Sequence, residues 1–174
     1  MVYGVILSPT KILVPAHSVG GAISQYTVLA GSTDRTITNC GTCQMRAVTS
    51  VIRHPSFNNN GGYANDVAIV HVPALTFNAS VYGSNIATNF STAPGTQFIQ
   101  IGFGTNGSNH NHLQTTVSSP WTLATMAGYT YTPGDFVTAS VDTTINGMIN
   151  YYQSANQTQV YTNLSSYVTW INAN

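Results

Sequence analysis

The chain has 174 residues, enough for one compact domain or for two small halves sharing a core. Only 5% of them are charged, four basic and four acidic, with a net charge of zero, no Glu and Lys11 as the one lysine; a typical soluble domain is about 25% charged. A chain so poor in charge lacks the long-range field that draws in nucleic acid, acidic substrates or anionic membranes, and no stretch approaches the roughly 18 consecutive apolar residues of a membrane span.

In chain order, the first eight residues carry no basic region before their apolar run and no small-residue cleavage site, so they do not read as a signal peptide. Runs with β-branched and aromatic residues then recur at 2–7, 11–14, 26–30, 47–53, 66–72, 96–102, 112–117, 135–141 and 147–152. They are separated by turn-formers such as Asn58-Asn59-Asn60-Gly61-Gly62, Ala93-Pro94-Gly95 and Thr132-Pro133-Gly134. Many short strands at this spacing predict an all-β sandwich or barrel. Near the C-terminus the period changes: Leu164, Tyr167, Val168 and Ile171 share one face at helical spacing, with Thr162 or Asn163 available as the cap. There is no internal repeat, and the join between two halves is expected near residues 90–94.

Several segments carry chemistry in combination. Residues 8–19 read Ser-Pro-Thr-Lys-Ile-Leu-Val-Pro-Ala-His-Ser-Val, and about fifty residues later 51–58, Val-Ile-Arg-His-Pro-Ser-Phe-Asn, leads into Asn65-Asp66-Val67-Ala68-Ile69-Val70. Then come Ile101-Gly102-Phe103-Gly104-Thr105, Met126-Ala127-Gly128-Tyr129-Thr130 and the terminal stretch 160–171. In this order, and over nearly the whole chain, these segments resemble the chymotrypsin-like serine proteases. The resemblance implies a trimmed double antiparallel β-barrel, residues 1–90 and 91–174, closed by a C-terminal helix. It gives His17 the place of the general base and Asp66 that of the carboxylate that orients it. It also implies an extracellular location and no cofactor or metal.

The resemblance breaks at the nucleophile. Gly134-Asp135-Phe136-Val137-Thr138-Ala139 stands where the family has Gly-Asp-Ser-Gly-Gly-Pro. A benzyl side chain has neither a transferable proton nor a lone pair, and Val137 and Thr138 replace glycines whose small size allows a tight turn. Gly134 is then a remnant of the oxyanion hole. Tyr151-Tyr152-Gln153 takes the place of the Ser-Trp-Gly pocket wall, and Thr130 or a neighbour stands where a trypsin-like enzyme keeps an acidic residue. Ser18 stands where the family has a cysteine beside the histidine, and by the resemblance the family's activating N-terminal segment is expected to have no counterpart. These departures predict a pseudoenzyme that acts through a protein partner or through association with itself. Two alternatives compete with it: a hydrolase with rebuilt chemistry that uses Thr138 or Ser140, and a structural, self-assembling protein with an uncharged Thr/Asn-rich surface.

Smaller signals have plain explanations. Cys40-Gly41-Thr42-Cys43 has redox spacing but no helix to activate a thiol, so it reads as a disulfide closing a local loop. As a zinc site it is half complete. His110 and His112 read as solvated loop residues, and His54 and His71 as surface positions on strands. Five Asn-x-Ser/Thr sequons occur, at Asn78, Asn89, Asn106, Asn156 and Asn163, where this composition alone predicts about four.

Overall fold

Two short runs, Ile12-Leu13-Val14 and Ala68-Ile69-Val70, are apolar at every position, the pattern of strands buried on both faces. The computed structural model, which describes residues 3–58, 63–88, 98–102, 114–118, 136–139, 145–153 and 158–174, places both runs at the centre of a sheet. The elements of the N-terminal part are β1 (Val5–Ser8), β2 (Lys11–Val14), β3 (Thr27–Ala30), β4 (Gln44–Ala47), β5 (Ser50–Arg53) and β6 (Ala68–His71). The order β1-β2-β6-β5 makes a four-stranded antiparallel sheet, with Leu13 opposite both Val5 and Ile69. Strands β3 and β4 form a separate hairpin. Chain contacts gather these strands into one compact unit, Gly4–Ser84, and the following residues into another, Asn85–Ala173.

The resemblance implies a closed barrel for the first unit, and its described sheets are open. The corner between them explains why residues 47–53 are not one strand. The Val48 amide donates to the Tyr26 carbonyl at the hairpin, and the next amide, that of Thr49, donates to His71 in the large sheet. Consecutive residues thus serve different sheets, so the ladder breaks while the chain turns the corner. The core lies between the two sheets. Ile12, Val14, Ala68 and Val70 come from the large sheet and Ala30 and Val48 from the hairpin side, with Leu75 and Val81 of the following loop joining them. Leu13 and Ile69 alternate away from that cluster and are also fully buried. Truncating Leu13 to Ala is expected to cost about 2–5 kcal/mol, the transfer term plus the cavity. Urea unfolding of the folded chain checks this, and a wild-type midpoint contradicts it.

The loop between β3 and β4 is locally tied. Cys40 and Cys43 are disulfide-bonded, with their Cα atoms 5.0 Å apart. The Thr42 hydroxyl donates to the Gly31 carbonyl at 3.0 Å. Gly31 has φ +82, and a Cβ there would collide with the Thr42 carbonyl, so glycine is required for this close approach.

The second unit holds β7 (Phe98–Gly102), β8 (Gln114–Ser118), β9 (Phe136–Ala139), β10 (Ile145–Gln153) and β11 (Thr158–Asn163). They form an open five-stranded antiparallel sheet in the order β11-β10-β9-β7-β8. The register of β10 slips between Ile149 and Tyr151, which leaves Asn150 as a bulge. The C-terminal helix is present but begins as a 3-10 turn, Leu164–Tyr167, before α1 (Val168–Ala173). Of the two possible caps, Asn163 is used: its side chain accepts from the Ser165 amide at 3.1 Å. Leu164 and Ile171 are the buried positions of this segment.

Candidate active site

The pairing of β2 with β6 brings the site together. Val14 is opposite Ala68, so the chain leaving β2 and the chain entering β6 run side by side at one end of the sheet. Pro15 is extended (φ -65, ψ 135) and stops the strand, and Ala16–Ser18 close a single 3-10 turn that carries His17. The Ser18 hydroxyl locks that turn by donating to the Pro15 carbonyl at 2.6 Å. This is a local hydrogen bond at the position where the family's disulfide would be. Asp66 lies two residues before β6, in a turn closed by the Val67 amide on the Asn65 carbonyl, and not in the strand as the run 66–72 suggests.

Asp66 holds His17 with both oxygens. The His17 main-chain amide donates to Oδ1 at 2.7 Å, and ring Nδ1 lies 2.6 Å from Oδ2. Asp66 is fully buried, while the His17 side chain is 18% exposed. A carboxylate has no donor of its own, so the proton of this bond sits on Nδ1, and in the neutral ring Nε2 is the acceptor. Among the described residues nothing hydrogen-bonds to Nε2. The arrangement supplies two parts of a three-part relay: a base and the group that fixes its tautomer. Covalent catalysis needs a third part, a hydroxyl or thiol within about 3.2 Å of that nitrogen.

Two contributors have no clear signal in the sequence. The Tyr63 ring lies 5.1 Å from the His17 ring, centroid to centroid, tilted by 60°. Tyr63 has φ 58 and Asn65 φ 56, the two non-glycine residues with positive φ among the described residues. Asn adopts that conformation readily, and its side chain here donates to the Ser56 carbonyl at 2.9 Å. A bulky Tyr in the left-handed region costs on the order of 1–3 kcal/mol, and such strain clusters at functional sites. Nothing in the residue type singles Tyr63 out. His54, a strand position by its sequence, lies just past β5, where its Nδ1 accepts the Ser56 amide.

The remaining candidates lie in the second unit. The Phe136 backbone opens β9 and is paired on both sides, with Ile101 of β7 and Met148 of β10. Val137 and Thr138 continue the ladder opposite Gln100 and Ile99. Tyr151 and Tyr152 follow the β10 bulge, opposite Val160 and Gln159. Gly134 and Thr130 lie outside the described residues, as do His110 and His112.

A family model described as Trypsin matches residues 3–171. Trypsin zeta of Drosophila erecta is 39% identical over 82 residues, a stretch that is 43% of this chain and 26% of that relative. The matched part therefore spans about a quarter of the relative's length.

Proposed function

The chain belongs to the trypsin family, and from that membership we propose that it is a secreted, non-catalytic serine protease homologue that acts by binding protein. One reading carries the proposal: Gly134-Asp135-Phe136-Val137-Thr138-Ala139 resembles the family's Gly-Asp-Ser-Gly-Gly-Pro segment, which puts Phe136 at the serine place, while His17 and Asp66 are paired. Without a hydroxyl there is nothing for Nε2 to deprotonate and no acyl-enzyme to form. The unbroken register of β9 against β7 supports this reading against a displaced nucleophile. Along a strand Thr138 lies two residues, or roughly 7 Å, beyond Phe136, more than twice the reach of a hydrogen bond.

In the same proposal Gly134 is an unused remnant of the oxyanion hole, and Tyr151, Tyr152 and Thr130 replace the groups that would select a substrate side chain. Loss of function is then distributed over several positions. Phe136→Ser alone is expected to leave the protein inactive, because Val137, Thr138 and the two tyrosines are unchanged. Stopped-flow assays with an activated ester test this. A flat trace with no burst supports the reading, and a burst equal to the enzyme concentration contradicts it.

The binding role is proposed from the surface. A net charge near zero removes the repulsion that holds small domains apart. Among the described residues β5 is an edge of its sheet, and strand edges are templates for pairing. The partner is a second copy of this chain or another protein. Sedimentation over a hundredfold concentration range separates these: a rising average mass identifies the second copy, and a constant monomer identifies a different partner.

A further inference from the structure

We propose that Asn78 is an N-glycosylation acceptor and that the glycan supplies the hydration this weakly charged surface lacks. The inference rests on the secreted location proposed above and is independent of the loss of catalysis.

The sequon alone carries little, because chance accounts for about four of the five in a chain this rich in Asn, Ser and Thr. Geometry separates the two that fall among the described residues. Asn78 and Val81 bridge across a two-residue turn: the Asn78 amide donates to the Val81 carbonyl at 2.8 Å. The Asn78 side-chain oxygen accepts from the amides of Ser80 at 2.8 Å and Val81 at 2.9 Å. Its Nδ2 group, the atom that takes the sugar, and the Ser80 hydroxyl have no partner among the described residues. Asn78, Ala79 and Ser80 are all exposed. Asn163 is also exposed and also accepts from the amide two residues on, but it differs in two respects. Its oxygen holds both the amide and the hydroxyl of Ser165, and its middle residue, Leu164, is fully buried. Asn163 serves the terminal helix, whereas Asn78 presents a whole sequon at the tip of a turn.

The second observation is the surface around the turn. Phe77 is 44% exposed and Tyr82 61%, one on each side of it. Soluble proteins offset such apolar area with charge, and this one has eight charged residues in 174. A glycan adds bulky, hydrated, uncharged surface at that place. In the reaction the Asn78 Nδ2 bonds to the anomeric carbon of a lipid-linked oligosaccharide. The anomeric C–O bond breaks, the polyprenyl diphosphate leaves with the electron pair, and the amide proton passes to a base of the transferase.

The test uses the full chain, translated behind a secretory leader in the presence of microsomes and also secreted from insect cells. Glycans are counted by intact mass before and after amidase treatment in heavy-oxygen water. The amidase turns a glycosylated asparagine into a labelled aspartate, so the site is read as a heavy-oxygen label at position 78. Ser80→Ala removes the hydroxyl of the motif but keeps both amide bonds of the turn, and Ser80→Thr keeps the motif. The expected result is one glycan fewer in S80A than in wild type, full retention in S80T, and label at position 78. Because the microsomal count does not require folding, a misfolded variant still reports. Unmodified Asn78 in wild type, or the same glycan count in S80A, overturns the proposal.

Discussion

Incubated with peptide and ester substrates, the full chain is expected to show no turnover above the buffer blank. The His17–Asp66 pair is complete as a base, with Nδ1 at 2.6 Å from the carboxyl and the other nitrogen turned to no described donor. On the function proposed above, the expected silence comes from the lack of a nucleophile and not from a damaged base. Removing the serine from a comparable triad costs about 10⁶ in turnover. The residual acceleration over water, about 10³–10⁴ in such enzymes, comes from the oxyanion hole and substrate binding. On the proposed correspondence Phe136 stands at the serine place and Val137 and Thr138 at the two glycines after it, so little help from that hole is expected either. Progress curves at micromolar protein, with trypsin as the positive control, check the expectation. Saturable hydrolysis that is lost in His17→Ala contradicts it.

Asp66→Ala is expected to destabilise the fold by about 3 kcal/mol, the range for removing a buried partner from hydrogen-bonded groups. The carboxyl group is fully buried and binds His17 twice, once at the ring and once at the main chain. Truncation leaves the His17 amide without its acceptor and opens a cavity at the end of β2 and β6. Asp66→Asn keeps an oxygen for one of the two bonds and is expected to lose about half as much. A role in holding the 3-10 turn explains how the pair can be kept when no proton is transferred. Urea unfolding measures both variants. With a slope of about 1–3 kcal/mol per molar, the alanine variant shifts the midpoint by roughly 1–3 M. A midpoint equal to that of wild type removes the structural role.

Much of the architecture is legible in the sequence because its signals are local or repeated. The apolar triplets that form the centre of β2 and β6 declare themselves by composition, and the helical spacing of Leu164, Val168 and Ile171 marks the terminal segment. Cys40 and Cys43, three residues apart, need no long-range information to be paired. Strand β4 is not legible, because Gln44-Met45-Arg46-Ala47 has no β-branched residue and is a strand only because β3 pairs with it. The corner at Val48 and Thr49 is hidden for a related reason: both residues favour strands, and only the destinations of their amides reveal the break. At the site, Pro15, His17 and Asp66 are legible as parts of longer segments. The left-handed backbone of Tyr63 is not, since it is imposed by the turn into Asp66 and contradicts the residue's own preference.

The central claim, that this trypsin-family chain has no nucleophile at its histidine, is tested most directly by a hydroxyl-directed fluorophosphonate probe read by intact mass. The probe needs no substrate fit in the specificity pocket, so altered selectivity cannot mask a working site. The account predicts that the full chain keeps its unmodified mass under conditions that label trypsin to completion. A stoichiometric adduct, abolished by His17→Ala and mapped to Thr138, Ser140 or any other hydroxyl, would contradict it.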